Sequence, residues 1–121
     1  MLSRSYLFVP GDRPERFAKA QASGADAVIV DLEDAVGPSA KAAARTVLAD
    51  WLRQGHAPAL IRINSADTEW FEADLGLCGL PGVAGVVIPK AERPEDLARV
   101  AEAAPGRELL PMIETADGFD A

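Results

Sequence analysis

Short apolar runs in this sequence of 121 residues end on groups that can carry charge or hydrogen-bond. Val30 is followed by Asp31, Glu33 and Asp34, Arg62 closes a later run with Asn64 just beyond it, Lys90 follows Ile88 and Pro89, and Glu114 follows Ile113. Such a set suits a hard divalent cation, because Mg²⁺ is usually held by one or two carboxylates while water or substrate oxygens fill its other positions. Glu114 is the candidate ligand. Two cationic side chains at the same rim, Arg62 and Lys90, would hold a substrate carboxylate and stabilise an enolate oxygen as negative charge develops. Plainer roles compete. Asp31, Glu33 and Asp34 also fit a solvated loop or a helix cap, Arg62 and Lys90 fit ion pairs with those carboxylates, and Glu114 fits the start of a helix.

Other chemistries have less to work with. His56 is the single histidine and lies in the loop-like stretch Gln54-Gly55-His56-Ala57-Pro58, so it is expected at the surface rather than as a catalytic base. Cys78 is the single cysteine, cannot form an internal disulfide, and is expected as a packing residue. Neither G-x-G-x-x-G nor G-x-x-x-x-G-K-[ST] occurs, which removes the usual phosphate-cradling loops. A net charge of −7 argues against nucleic-acid and anionic-membrane partners. No window approaches the roughly 18 apolar residues of a membrane helix, and Met1 to Ser5 open no signal-peptide core, so a cytoplasmic location is expected.

The elements that must position these groups follow from the pattern of apolar residues, which with the other hydrophobics make up 49% of the chain. Runs at Tyr6 to Val9, Ala27 to Val30, Leu60 to Ile63, Val86 to Ile88 and Leu109 to Ile113 read as strands covered on both faces, as in a parallel sheet. Between them, Ser39 to Arg53 places Ala44, Val47, Leu48, Trp51 and Leu52 on one helical face, with Pro38 in its first turn and Gly55 at its end. A first helix is expected after Asp12 as N-cap, with Phe17 and Ala20 inward and a stop at Gly24. Another runs from Pro94 to about Ala104 with Leu97, Val100 and Ala101 inward, and Asp67 to Leu80 holds a short helix. Pro111 is awkward in a strand because it cannot donate to a ladder. The β-α alternation fits a doubly wound sheet or a barrel, and the missing phosphate loop favours the barrel. In a barrel, the C-terminal ends of parallel strands ring one mouth, so Asp31, Arg62, Lys90 and Glu114 would face one cavity.

The motifs themselves are similar to a known family. Arg4-Ser5-Tyr6-Leu7-Phe8-Val9-Pro10-Gly11-Asp12-Arg13-Pro14-Glu15-Arg16-Phe17 resembles the first strand and turn of the citrate lyase beta subunit family. Gly24-Ala25-Asp26 leading to Val30-Asp31-Leu32-Glu33-Asp34-Ala35-Val36, then Lys41 with Ala44-Arg45, resembles its second strand and helix. Ile61-Arg62-Ile63-Asn64, Ile88-Pro89-Lys90-Ala91-Glu92 and Leu110-Pro111-Met112-Ile113-Glu114-Thr115-Ala116 follow in the family's order, and they also account for Pro111. The likeness extends to malyl-CoA and citramalyl-CoA lyases and, more distantly, to the HpcH/HpaI aldolases. It implies a TIM (β/α)₈ barrel, with residues 1–121 as the N-terminal half (β1 to β5) of a single domain, and a homo-oligomer, trimer or hexamer. It further implies Mg²⁺-dependent carbon-carbon cleavage, or condensation, of a 3-hydroxy acyl-CoA or acyl-carrier thioester. By motif position Glu114 would be the metal ligand and Arg62 the arginine that stabilises the oxygen. Asp31 and Glu33 would orient metal-bound water, with Lys90 paired to them. Pro10, Gly11 and Arg13, with Arg62, are the substrate-binding candidates; Arg13 and Arg16 near the first strand end fit CoA phosphates, and a solvated helix start fits them nearly as well. A second metal carboxylate is expected on the next strand, beyond Ala121, so the 121 residues alone are expected to turn over little substrate. The competing readings are a malate-synthase-like or thioester-hydrolysing enzyme on the same scaffold, and a non-catalytic assembly subunit.

Overall fold

The structure, a computed structural model, describes residues 5–112. Valine and isoleucine are concentrated in the second and fourth of the five strands, where their branched side chains fit a pleated, covered surface. The strands are β1 (Tyr6–Pro10), β2 (Ala27–Asp31), β3 (Ala59–Arg62), β4 (Val83–Ile88) and β5 (Glu108–Pro111). All neighbouring pairs are parallel, and the order across the sheet is the order along the chain. Four α-helices connect them: α1 (Phe17–Gln21), α2 (Lys41–Arg53), α3 (Phe71–Leu75) and α4 (Pro94–Ala103).

The distribution of the core decides between the two architectures left open by the sequence. One cluster joins Phe17 of α1, Leu48 and Leu52 of α2, Phe71 of α3 and Val100 of α4 to Val30, Ile61 and Val86 of the sheet. The opposite face holds strand residues, Ile29, Leu60 and Val87 with Leu110 beside them, and no helix residue enters that cluster. A doubly wound sheet reverses its strand order and carries helices on both faces. Here the order never reverses and the helices share one side, so the strands form the wall of a (β/α) barrel as expected.

Helix α2 shows how the sequence sets an element. A 3₁₀ turn at Pro38–Ala40 leads into it, Ala44, Leu48, Trp51 and Leu52 are buried at helical spacing, and Gly55 with φ of 84° lets the chain turn away. Trp51 packs edge-on to Phe17 at 5.2 Å. On its other side it stacks on His56 at 4.3 Å, so the histidine is a half-buried packing partner rather than a freely solvated one. Cys78 is fully buried, and burial followed by the nearby Asp74 pushes its thiol up to about 12, which fits the packing role.

Three local expectations need correcting. Asp12 does not cap the first helix: a 3₁₀ turn at Pro14–Arg16 follows Arg13 with no side-chain cap, the fixed φ of Pro14 starting the turn instead. Ala101 is exposed, because the apolar stripe of α4 is narrow and runs through Leu97 and Val100 to Ala104 at the helix's C-terminal cap. Strand β4 begins at Val83 rather than Val86, since Gly85 interrupts the apolar run without interrupting the pairing to Glu108. Among the described residues no helix is long and apolar enough to cross a membrane.

Candidate active site at the strand ends

Period-two alternation puts Phe8, Ile29 and Leu60 on the helix-free concave face, and therefore also Asp31 and Arg62 two residues further along. Asp31 and Arg62 are register partners on adjacent strands, with Pro10 alongside Asp31 on β1. The Arg62 guanidinium meets the Asp31 carboxylate as a fork. Nε donates to Oδ1 at 2.9 Å and Nη2 donates to Oδ2 at 2.6 Å. Glu33 Oε1 lies 3.5 Å from the same Nε, and the Phe8 ring lies under the guanidinium at 5.0 Å. With Asp31 2% exposed and the Arg62 side chain 13% exposed, the pair is largely withdrawn from water and its geometry is fixed from three directions.

Burial by itself would raise the Asp31 carboxyl. The Arg62 hydrogen bonds, helped by backbone N–H groups of Glu33 and Ala35, outweigh it and hold the group below its ordinary value. Arg62 is raised in turn, first by its hydrogen bonds to Asp31 and against the effect of burial. Both groups are therefore charged at neutral pH. The same Asp31 oxygens close the loop behind β2, Oδ1 accepting from Glu33 N–H at 2.8 Å and Oδ2 from Ala35 N–H at 3.1 Å. One carboxylate thus fixes both an arginine and the loop carrying Glu33.

The surrounding loops are tied with equal economy. Gly11 N–H donates to Asp31 O at 2.8 Å, and a Cβ there would sit 2.9 Å from that oxygen and from Leu32 Cδ2, so only glycine allows the approach. Behind β3, the fully buried Asp74 accepts Asn64 N–H at 2.8 Å and Asn64 Nδ2 at 2.6 Å, and pairs with Arg45 at 3.3 Å. Lys41, 5% exposed, donates from Nζ to Leu32 O at 2.9 Å and Glu33 O at 2.8 Å, with the Trp70 ring 4.9 Å away.

The structure brings together Arg62, Asp31 and Glu33, with Pro10 and Gly11 beside them. Arg13 is exposed in the turn after β1, its N–H bonded to Pro10 O. Asp34 is exposed, and no side chain caps the turn leading into α2, so the helix-cap reading of that acidic run fails. The ion-pair reading of Arg62 holds. Lys90 does not pair with Asp31 or Glu33 as expected. It is exposed, has φ of 51°, and lines a polar cleft with Ser65, Asp67 and Asp96. There the Ser65 hydroxyl first, and the Lys90 charge after it, hold Asp67 below its ordinary value. The turn after Ile88 carries Lys90 away from β2, which spacing alone did not reveal. Glu114 lies outside the described residues. Among the described residues no group of three or more His, Cys, Asp or Glu could hold a metal, and Asp31 and Glu33 are engaged with Arg62.

Sequence reasoning gave Lys41 and Arg45 no role at the site and passed over Asp74. A charge at the face of an amphipathic helix ordinarily reads as solvated, and only the tight packing of two loops turns these inward.

Residues 4–119 match the family model described as HpcH/HpaI aldolase/citrate lyase. A (3S)-malyl-CoA thioesterase of Cereibacter sphaeroides is 42% identical over 119 residues, covering 96% of this chain and 42% of that protein. The citrate lyase beta subunit of Mycobacterium tuberculosis complexed with oxaloacetate and magnesium superposes with a TM-score of 0.74 at 43% identity, covering 92% of this chain and 47% of that one. Protein CitE of M. tuberculosis in complex with magnesium, acetoacetate and coenzyme A gives a TM-score of 0.75 at 42% identity, covering 94% of this chain and 40% of that one. The chain thus spans less than half the length of these relatives. With the family's motifs in order, its barrel wall, and Arg62 clasped by Asp31 at the strand ends, the chain belongs to the HpcH/HpaI aldolase/citrate lyase family.

Proposed function

We propose that the whole protein cleaves, or in reverse forms, a carbon-carbon bond in a short 3-hydroxy dicarboxylic acyl thioester such as a citryl, malyl or citramalyl thioester. The observation that carries the reading is the buried fork of Arg62 on Asp31. An arginine held this firmly by groups on its own strand layer offers its remaining N–H donors to a fixed point in the mouth. A fixed donor costs no reorganisation when charge appears on a substrate oxygen. In the cleavage direction the 3-hydroxyl loses its proton to a base, its C–O bond becomes a carbonyl, the carbon-carbon bond electrons pass into the thioester as an enolate, and the protonated base then returns a proton to the enolate carbon. Arg62 stabilises that enolate oxygen until carbon is reprotonated. Asp31 and Glu33 keep the guanidinium aimed and charged. The exposed Arg13 and Arg16 suit the phosphates of a CoA carrier.

Magnesium in the complexes of the related M. tuberculosis proteins supports Mg²⁺ as the cofactor, with Glu114 as a ligand by motif position. When bound, it would polarise substrate oxygens and offset their charge.

A second reading, thioester hydrolysis, is favoured by the malyl-CoA thioesterase relative. Incubating the full-length protein with malyl-CoA or citramalyl-CoA and Mg²⁺, and separating the products, tests both. Cleavage leaves a shorter acyl-CoA and an oxo acid, whereas hydrolysis releases free CoA and the intact hydroxy acid. No product of either kind, with no heat of Mg²⁺ binding in calorimetry, would leave a non-catalytic subunit.

A further inference from the structure

We propose that Lys41 is a positioning residue for Arg62, acting as a buried clamp between the loops that follow β2 and β3. The inference rests on the lyase or thioesterase reading of the site and adds to it a residue that touches no substrate. Lys41 stands at the first turn of α2, yet its ammonium is turned inward and spends two of its three donors on consecutive carbonyls, Leu32 and Glu33. Those carbonyls belong to the short segment that starts at Asp31 and carries Glu33, the two carboxylates that hold the guanidinium. The ring of Trp70, from the loop ahead of α3, lies 4.9 Å from the same Nζ. Burial lowers the Lys41 ammonium below its ordinary value, and the charge of Asp74 on α3, which pins Asn64 just beyond Arg62, is the first of those that oppose it.

The arrangement has a mechanical consequence. Asp31 is anchored at its strand, but Glu33 lies in loop backbone, and that backbone is held by Asp31 from one side and by Lys41 from the other. A buried ammonium is costly to keep, so a surface-facing lysine or an apolar residue would serve α2 alone better. What it supplies is a fixed distance between the carboxylate loop and the arginine loop. Groups that hold the partners of a reacting centre typically cost about 10- to 100-fold in function when removed.

The test compares Lys41→Met with Leu48→Ala in the full-length protein, the second being a core change on the same helix that lowers stability without removing a hydrogen bond to either loop. Lys41→Met is expected to lose about 10- to 100-fold in kcat for the acyl-CoA with KM changed less than about threefold, while Leu48→Ala keeps kcat at temperatures below its melting. Hydrogen-deuterium exchange is read in parallel, with faster exchange expected over residues 31–36 and 62–66 in Lys41→Met and not in Leu48→Ala. Should the Met variant fail to fold, Lys41→Gln, too short to reach both carbonyls, is expected to show the same pattern. Equal losses of kcat in the Lys41 and Leu48 variants, or unchanged exchange in both loops, overturn the proposal. If the wild type processes neither thioester, the function fails, and the exchange pattern alone decides whether Lys41 clamps the loops.

Discussion

Arg62 and Asp31 carry the residue-scale argument, because neither is tolerable in this position without the other. Arg62→Met leaves a nearly buried carboxylate with no counter-charge, and the expected loss of stability is about 3–5 kcal/mol, read as a shift of the denaturant midpoint. Arg62→Lys keeps the charge but loses the planar fork, so it is expected to fold and yet drop kcat by about 100-fold, on the scale of losing one fixed oxyanion donor. Acid sensitivity follows from the same pair. Asp31 has a lower pKa in the folded protein than the ordinary 3.8, so its contribution is fully present above that value and is lost as pH falls through the folded value. Melting temperatures measured between about pH 5 and pH 2 should therefore fall more steeply for the wild type than for Asp31→Asn, and parallel curves would sink the assignment. Arg62, Asp31 and Glu33 were legible because charge at the end of an apolar run has few other uses in a parallel barrel. Lys41 and Asp74 were not, since the sequence cannot say which polar position of a helix two loops will cover.

At the scale of elements, the strands and α2 could be read because continuous apolar runs, as in β2, and a 3.6-residue stripe, as in α2, are strong signals. Their boundaries slipped where a single residue breaks the pattern without breaking the structure, as Gly85 does in β4 and the turn at Pro14 does before α1. The start of β2's loop depends on a different kind of signal, backbone proximity, at Gly11. A methyl group there would press on Asp31 O and Leu32 Cδ2 at 2.9 Å, and the first of these is backbone that cannot rotate away. Gly11→Ala is expected to cost about 1–3 kcal/mol by overpacking and to move Asp31 with it, so activity should fall along with stability. Thermal melts and kcat measured together check this, and an Ala variant matching the wild type in both would show that the turn after β1 has slack.

For the whole molecule, the sheet has one face sealed by helices and one face that the described residues leave open. Tyr6 and Phe8, each 47% exposed, stand on that open face beside Ile29 and Leu60, and the outer edges of β1 and β5 have no strand partner among the described residues. An apolar concave face next to unpaired backbone is the combination that draws strands from other molecules. The 121-residue polypeptide prepared alone is therefore expected to self-associate with rising concentration, its mass climbing in light scattering above that of a 12.8 kDa monomer. Tyr6→Lys places a charge at the β1 edge and should shift the distribution toward smaller species while leaving the helix-covered core untouched. A wild-type polypeptide that stays a folded, monodisperse monomer over the full concentration range would show that the concave face tolerates water.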